Sequence, residues 1–369
     1  MRAAGDAGPI GSAAAVISYE VSPVTIPLET FQQSSATMRN VLYEIKRVIV
    51  GQDLMLERIL VALLARGHVL IEGVPGLAKT LAIKTTARAI DCDFKRIQFT
   101  PDLVPADLVG TRIYNQHSGK FDTEKGPIFA NFVLADEINR APAKVQSALL
   151  EAMQERQATI GKETFRLPDP FLVMATQNPI ESEGTYPLPE AQVDRFMFKV
   201  VIGYPSYHEE VTIVDRMSGE LLEIGAAVNA AELKGLQAVA DAVYVDPKIR
   251  EYAVTLTAAT RRPQEFGLEK LRKYISYGAS PRAPLNMVLS ARALALLRGR
   301  EHVMPDDVRD LAADVLRHRM VLSYEALADD VSPDTIVDQV IGRIPAPVVA
   351  LGDPYERQRL AAATKDASS

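Results

Sequence analysis

One eight-residue segment constrains the fold of this chain more than any other. Residues 73–80 read GVPGLAKT, with two glycines and a closing Lys-Thr pair. A short apolar run, 68–71, precedes the segment, and a helical pattern from about 79 to 90 follows it. Glycines between a strand and a helix let backbone N–H groups turn toward phosphate oxygens. The segment therefore predicts a strand–loop–helix unit that holds phosphate.

The residue types of this loop predict separate roles for its side chains in binding a nucleotide. We expect Lys79 to reach the β- and γ-phosphates and the Thr80 hydroxyl to ligate Mg²⁺, with the positive end of the helix pointing at the phosphates. Ala78 stands where the usual pattern has glycine, and its added methyl group is compatible with the shape of the loop if φ is negative there. The alternative is a glycine-rich turn that precedes Lys-Thr by chance. The predicted nucleotide contacts in this segment are Gly73, Val74, Pro75, Gly76, Leu77, Ala78, Lys79, Thr80 and Leu81.

Strand and helix patterns alternate around the loop and then give way to helices. Further strands are predicted at 94–99, 132–134, 171–175 and 196–202, and further helices at 55–65 and 143–157. This alternation predicts an α/β fold with a parallel sheet between helices. Beyond Gly203 almost all patterns are helical, with starts near His208, Ala231, Pro247, Pro284, Pro305 and Asp334. We expect an α/β nucleotide-binding domain at 36–204, an all-α domain at 205–350, a disordered tail at 1–35 and a flexible tail at 351–369.

Carboxylates and an amide follow two of the predicted strands. Asp136 and Glu137 end an apolar strand, where adjacent residues face opposite sides. Asp136 can therefore hold Mg²⁺ while Glu137 polarises an attacking water. Asn178 follows another strand and could donate to the γ-phosphate or the water. The alternatives are a solvated strand end for the carboxylates and an Asn-Pro turn for Asn178.

Composition excludes several classes of protein. The chain of 369 residues has a net charge of −6, which argues against a dedicated nucleic-acid binder. Its one cysteine, Cys92, cannot form an intramolecular disulfide, and few cysteines fit a reducing compartment. No apolar run reaches the roughly 18–20 residues that span a bilayer. We therefore expect a cytoplasmic protein with no membrane insertion.

Four stretches in this order give the chain a resemblance to a known family. They are EGVPGLAKT at 72–80, LADEINRAP at 134–142, ATQNP at 175–179 and YPLPEAQVDRF at 186–196. Each follows an apolar run, and together they resemble the AAA+ ATPases, most closely the MoxR family. The resemblance covers about residues 40–345. It implies a P-loop AAA+ core followed by an all-α lid domain.

The resemblance also implies roles for further residues. Val50 and Gly51 look like the segment beside the adenine, and Arg195 looks like an arginine finger that reaches a neighbouring subunit's γ-phosphate. Arg282 looks like a second sensor on the lid. An intrachain ion pair of Arg195 with Asp194 or Glu190, and a plain surface role for Arg282, are the alternatives. Two β-hairpins, 110–126 and 158–167, resemble the family's inserts that line the ring or contact substrate.

The family likeness implies an ATP hydrolase that uses ATP and Mg²⁺ and works as a homo-hexamer. Such proteins remodel or mature client proteins, often with a separate partner that carries a von Willebrand factor A domain. One alternative is a chelatase-type ATPase subunit that drives metal insertion through a partner. A nucleic-acid motor and a nucleotide-gated scaffold without turnover are further alternatives.

Overall fold

The structure is a computed structural model that describes residues 26–117, 119–179, 184–218 and 223–349. The predicted tail at 351–369 and residues 1–25 of the other predicted tail lie outside the described residues. Among the helices described, none is long and apolar enough to cross a membrane.

Somewhat more than half of the described chain, from α1 to β9, forms an α/β unit. Its elements, in chain order, are α1 (Leu28–Val48), α2 (Asp53–Leu64), β1 (Val69–Glu72), α3 (Lys79–Ala89), β2 (Phe94–Gln98), α4 (Pro105–Val109), β3 (Gly110–Asn115), β4 (Lys120–Lys125), β5 (Phe132–Asp136), α5 (Ala143–Glu155), β6 (Gln157–Ile160), β7 (Glu163–Arg166), β8 (Leu172–Gln177), α6 (Glu190–Val193) and β9 (Phe198–Val201). The predicted strands and helices of this part are confirmed, with ends shifted by up to about two residues.

Helices dominate the rest of the described chain. They are α7 (Tyr207–Met217), α8 (Ala230–Ala242), α9 (Pro247–Arg261), α10 (Arg282–Leu297), α11 (Pro305–Leu316), α12 (Tyr324–Ala328) and α13 (Pro333–Arg343). One feature of this part differs from the expected all-helical pattern. Two short strands, β10 (Ile275–Tyr277) and β11 (Val321–Leu322), pair antiparallel and connect segments that are far apart in the chain. The sequence pattern misses them because strands of two or three residues carry no periodicity.

A five-stranded parallel sheet in the order β2-β5-β8-β1-β9 organises the α/β unit. Its central strands are buried on both faces. In β1, Val69 and Ile71 join the apolar core on one side, whereas Leu70 joins the core on the other. Strands covered on both faces read as continuous apolar runs. All carboxyl ends of the strands meet at one edge of the sheet, and the loops that follow them define a shared surface there.

The predicted N-terminal tail is wrong over its last residues, because α1 begins at Leu28. Small and polar residues dominate this stretch by composition. However, Phe31, Met38, Val41 and Ile45 recur at helical spacing, and all four are buried in the main core. Burial of one apolar face outweighs the weak local helix preference of the serines between them.

The two predicted β-hairpins are confirmed as β3–β4 and β6–β7. The second turns at Gly161-Lys162 as expected. The predicted turn of the first includes Gly119, which has a positive φ, whereas Ser118 lies outside the described residues.

Buried charges join the helical part to the α/β unit. Arg58 of α2 is 1% exposed, and its guanidinium lies 2.7 Å from a carboxylate oxygen of Asp314 and 3.0 Å from one of Asp310, both on α11. A buried arginine requires such partners, because an uncompensated charge would cost several kcal/mol. Helix α10 also packs on α1 and α2, and α11 packs on β9.

Candidate nucleotide site

The phosphate loop, residues 73–80, leaves the carboxyl end of β1 and enters α3. Gly73 is needed for packing, because a Cβ there would lie 2.4 Å from Cγ1 of Ile202. Gly76 is needed for conformation, because its φ is +86°, and no described atom lies within 4 Å of a Cβ placed there. The loop therefore has room beside its backbone at Gly76, as a phosphate cradle requires.

The condition of a negative φ at Ala78 is not met. Ala78 has φ 53° and ψ 20°, the left-handed conformation, at the position just before α3. A residue with a Cβ adopts this conformation at a cost of about 1–2 kcal/mol. The turn from the loop into the helix requires this conformation whether or not glycine is present, so the substitution is accommodated by strain.

The side chain of Lys79 folds back over the phosphate loop. Its ammonium donates to the carbonyl oxygen of Gly73 at 2.7 Å. Burial lowers the pKa of Lys79, and the nearby charges of Asp136 and Glu137 partly oppose that effect. A partly desolvated ammonium at the start of α3 attracts an anion more strongly than a fully solvated one, so Lys79 suits contact with phosphate oxygens.

Asp136 ends β5 beside the loop, and its two carboxylate oxygens have different partners. Oδ1 accepts the hydroxyl hydrogen of Thr176 at 2.6 Å, and Oδ2 accepts from Nη2 of Arg96 at 2.6 Å. Thr176 lies on the neighbouring strand β8, and Arg96 on β2. Strands on both sides of β5 therefore hold this carboxylate in one orientation.

Glu137 follows directly, and a left-handed backbone with φ 56° takes it out of the strand. Its Oε2 accepts from Nε2 of Gln98 at 2.9 Å and lies 2.8 Å from Nε of Arg140. Its backbone N–H donates to the hydroxyl of Thr176 at 2.9 Å. The two adjacent carboxylates therefore have separate side-chain partners, but the left-handed backbone of Glu137, and not the alternation of a strand, separates them.

Three more predicted residues lie at this same edge of the sheet. Asn178 follows β8 and is buried, and the preceding carbonyl, that of Gln177, accepts from Gly73 N–H at 3.3 Å. Val50 and Gly51 precede α2 near the end of β9, since a Cβ on Gly51 would lie 2.7 Å from Oε1 of Glu209. The structure thus brings the phosphate loop, both carboxylates, Asn178 and the Val50–Gly51 segment to one edge.

The predicted arginines lie elsewhere. In the parallel pairing of β1 with β9, Val69 is opposite Phe198 and Glu72 is opposite Val201. The phosphate loop follows Glu72, whereas Arg195 precedes Phe198. Arg195 and the loop are therefore at opposite ends of paired strands, separated by at least about 10 Å of sheet. Arg195 cannot be placed beside its own phosphate loop without breaking this register.

Arg282 joins Arg195 at the far edge. Its guanidinium lies 3.4 Å from Oδ2 of Asp194, whose carboxylate also accepts from the Ser280 hydroxyl at 2.9 Å and from Nε of Arg319 at 3.0 Å. Among the described residues, Asp194 is thus paired with the lid and not with Arg195. Arg195 itself lines an open cleft of about 520 Å³ with residues of α5, including Ser147 and Glu151.

Comparisons with known proteins agree with this geometry. Residues 68–198 match the family model described as the ATPase family associated with various cellular activities (AAA), and residues 270–340 match an AAA lid domain. Chaperone MoxR1 of Mycobacterium tuberculosis is 54% identical over 85% of this chain and 83% of its own length. The chain belongs to the MoxR family of AAA ATPases.

This MoxR-family chain covers two further relatives almost entirely. Protein YeaC of Bacillus subtilis is 44% identical over 82% of this chain and 93% of its own length. The crystal structure of an ATPase candidate from Cytophaga hutchinsonii superposes with a TM-score of 0.82 at 46% identity, covering 87% of this chain and 98% of that one. The resemblance to MoxR proteins and the α/β core with a helical lid are thereby confirmed.

The donor set of this MoxR-family site fits Mg²⁺ bound together with a nucleotide. The Thr80 hydroxyl and the Asp136 carboxylate are hard oxygen ligands, which Mg²⁺ prefers. Among the described residues, no group of three His, Cys, Asp or Glu side chains could hold a metal. Thr80 and Asp136 would supply two of its oxygen ligands, and phosphate oxygens and water would supply the others. The bound ion would neutralise charge on the phosphates.

Sequence reasoning missed three residues of the MoxR-family site: Arg96, Gln98 and Thr176. Arg96 and Gln98 alternate with buried Ile97 along β2, so both lie on one face of that strand. This alternation could have identified them, since it places two polar side chains on the same face of the strand. For Thr176, no local signal exists, because its role depends on β8 lying beside β5.

Proposed function

We propose that this MoxR-family protein hydrolyses ATP to ADP and phosphate at a site shared by two copies of the chain. The observation that carries the proposal is the separation of the predicted groups. The phosphate loop and carboxylates lie at one edge of the sheet, and Arg195 lies at the other. The phosphate-loop edge thus lacks Arg195, the arginine that the family resemblance assigns to stabilising the transition state.

The chemistry follows from the groups at the first edge. Loop N–H groups and Lys79 bind the β- and γ-phosphates, while Thr80 and Asp136 hold Mg²⁺. Glu137 orients a water and accepts its proton as the oxygen attacks the γ-phosphorus. The bond from that phosphorus to the β,γ-bridging oxygen breaks, and ADP leaves with the electron pair. Asn178 donates to the γ-phosphate or to the water.

Arg195 acts on the nucleotide of the neighbouring subunit in this proposal, and Arg282 acts beside it from the lid. A guanidinium supplied by a second subunit stabilises transition-state charge by about 10³–10⁵ in rate. A head-to-tail contact of this kind generates a closed ring when its rotation closes. We propose a homo-hexamer, in which each nucleotide lies between one phosphate loop and the next subunit's Arg195.

The cellular role of the proposed ring is inferred from the names of related proteins. MoxR1 carries the name of a chaperone, and this favours remodelling or maturation of client proteins over the chelatase-type alternative. Hairpin β3–β4 exposes Ile113, Tyr114 and Phe121, which suits contact with an apolar polypeptide segment. A separate partner with a von Willebrand factor A domain and a cytoplasmic location remain part of the proposal. No nucleic-acid partner is expected.

A Glu137→Gln variant tests the chemistry. It should bind ATP as tightly as the unmodified protein and lose about 10²–10⁴-fold of its turnover, because the amide cannot accept the water proton. Glu29→Gln at the exposed start of α1 is the matched control and should keep full turnover. Equal turnover in Glu137→Gln and the unmodified protein would refute the role of Glu137.

The same variant tests the client proposal. Glu137→Gln loaded with ATP should retain clients and partners through affinity purification, and mass spectrometry identifies them. Lys79→Ala, which should not bind ATP, is the control for nonspecific retention. Identical retained proteins in the two samples would contradict ATP-dependent engagement.

A further inference from the structure

Helix α7 exposes its apolar side. Tyr207, Val211 and Val214 follow the i, i+4, i+7 spacing of one helical face, and none of the described side chains of α7 is buried. Tyr207 and Val214 are 76% and 64% exposed, and Tyr204 just before the helix is 73% exposed. We name Tyr204, Tyr207, Val211 and Val214 the α7 strip. A surface helix ordinarily turns such a face toward the core.

Polar groups attach α7 to the rest of the chain instead. Glu209 closes a capping box with Ser206 and contacts Gly51, and Arg216 donates to the carbonyls of Lys46 and Arg47 at 3.1 and 2.9 Å. The α7 strip is therefore exposed, although Ile213 of the same helix is half-buried. An exposed apolar face of this kind marks an interaction surface.

The position of the strip indicates what covers it. The start of α7 lies beside Gly51, and Nε2 of Gln52 donates to the carbonyl of Gly203 at 3.0 Å, so the strip borders the edge that holds the phosphate loop. In the proposed function, this edge faces the Arg195 edge of the next copy. The strip therefore borders a surface that only a second copy completes.

The opposite edge offers apolar side chains at a corresponding place. Tyr277 and Leu285 flank Arg282 in the chain, and they are 73% and 57% exposed. In the proposed arrangement, Arg282 of one copy approaches the nucleotide of the next copy. Tyr277 and Leu285 would then approach the segment beside Gly51 of that next copy. Apolar side chains thus lie next to the functional groups of both edges.

We infer that the α7 strip is a contact between subunits, and that its occupant is the lid surface around Tyr277 and Leu285 of a second copy. The inference rests on the shared site of the proposed function. It adds a specific surface to that proposal: the lid of one copy packs on the helix that follows β9 in the next. Nucleotide binding beside Gly51 and assembly through α7 are then physically adjacent.

Thiol labelling tests this surface. In a Cys92→Ser background, Val214→Cys should react with a maleimide at least about tenfold more slowly in the ATP-loaded assembly than in dilute, dissociated protein, since burial in an interface excludes the reagent. Val254→Cys, at an exposed valine of α9, is the matched control and should react equally in both.

Three results would overturn the inference. Equal reaction rates of Val214→Cys in assembled and dissociated protein would mean that nothing covers the strip. Slow reaction at every concentration would mean that the protein's own residues, such as 1–25, cover it. Protein that stays monomeric with ATP in analytical ultracentrifugation would refute the shared site as well, and this outcome separates failure of the proposed function from failure of the strip alone.

Crosslinking tests the partner surface. A mixture of Val214→Cys and Leu285→Cys chains should give covalent dimers with a short bismaleimide in the presence of ATP, and replacing Val214→Cys by Val254→Cys should abolish them. Protection of Val214→Cys without crosslinking to either Leu285→Cys or Tyr277→Cys would overturn the assignment of the lid as occupant.

Discussion

The two edges of the parallel sheet differ in how their functional groups are held. At the phosphate-loop edge, neighbouring strands fix the carboxylates: Thr176 and Arg96 bind Asp136, and Gln98 binds Glu137. At the other edge, the lid fixes the segment around Arg195 through Asp194 and Arg319. Contacts within the sheet thus hold the first edge, whereas contacts with the lid hold the second. In the proposed shared site, the position of the lid would therefore affect how one subunit presents its arginines to the next.

The largest expected effect belongs to the phosphate-loop edge alone. Lys79→Ala should abolish binding of Mg²⁺ and ATP, because the loop loses the cation that neutralises the outer phosphates. Isothermal titration calorimetry measures this directly. Lys84→Ala, at an exposed lysine of α3, should bind normally. Full affinity for ATP in Lys79→Ala would contradict the assignment of nucleotide binding to the phosphate-loop edge.

The next effect belongs to the Arg195 edge. Asp194→Asn should reduce turnover while leaving nucleotide affinity unchanged, because Arg319 then loses its charged partner and the Arg195 segment loses its anchor. Burial lowers the pKa of Arg319 to about 10, so it remains charged at neutral pH. An unpaired buried charge costs about 3 kcal/mol, which urea unfolding should detect. Weakened nucleotide binding with normal turnover would contradict the separation of the edges.

A smaller effect concerns strain in the phosphate loop. Ala78→Gly should raise the free energy of unfolding by about 1 kcal/mol, because glycine adopts the left-handed conformation without a clash. Ala238→Gly, at an exposed interior position of α8, should lower it by about 1 kcal/mol. Chemical denaturation of both variants checks the sign. Destabilisation of equal size in both would contradict the strained conformation of Ala78.

A last effect appears only at low pH and concerns a buried histidine where β1 begins. Nδ1 of His68 accepts from Val173 N–H at 3.0 Å, and Nε2 lies 3.2 Å from the Met153 carbonyl, an arrangement that requires the neutral ring. Burial, with a smaller contribution from Arg156, lowers the pKa of His68 to about 3. The unfolded chain, with a histidine pKa near 6.5, therefore binds more protons as the pH falls below that value.

His68 should make stability fall with decreasing pH by at most about 1.4 kcal/mol per unit below about pH 6.5. The difference between the unmodified protein and His68→Gln isolates this slope, since other titrating groups, including buried His318, are common to both. Urea unfolding between about pH 7 and 5 measures it. A difference that does not change with pH would contradict the neutral buried ring.

The sequence was most informative where function depends on neighbours in the chain. The loop at 73–80 and the Asp136-Glu137 pair could be predicted because each motif is contiguous and follows a strand. The α/β order and both hairpins followed from periodicity and turn residues. Arg195 and Arg282 were placed by family resemblance, and nothing local predicted that both lie at the far edge.

Tertiary contacts account for what the sequence did not predict. Asp194 meets Ser280 and Arg319 across 86 and 125 positions of chain, a pairing that no pattern in one sequence reveals. The outward face of α7 is likewise invisible, because an amphipathic pattern does not say whether its apolar side meets the core or a second copy. The left-handed conformation of Ala78 could not be read from the sequence, because the turn, and not the residue type, decides its φ.

Mixing two inactive variants tests the shared site most directly. Lys79→Ala should lack nucleotide binding and Arg195→Ala should lack transition-state stabilisation, so each alone should be nearly inactive. Mixed assemblies contain interfaces that pair an intact phosphate loop with an intact Arg195, and ATPase activity should reappear in proportion to them. Co-sedimentation of differently labelled chains verifies mixing. Confirmed mixed assemblies without any recovered turnover would contradict an active site divided between two copies.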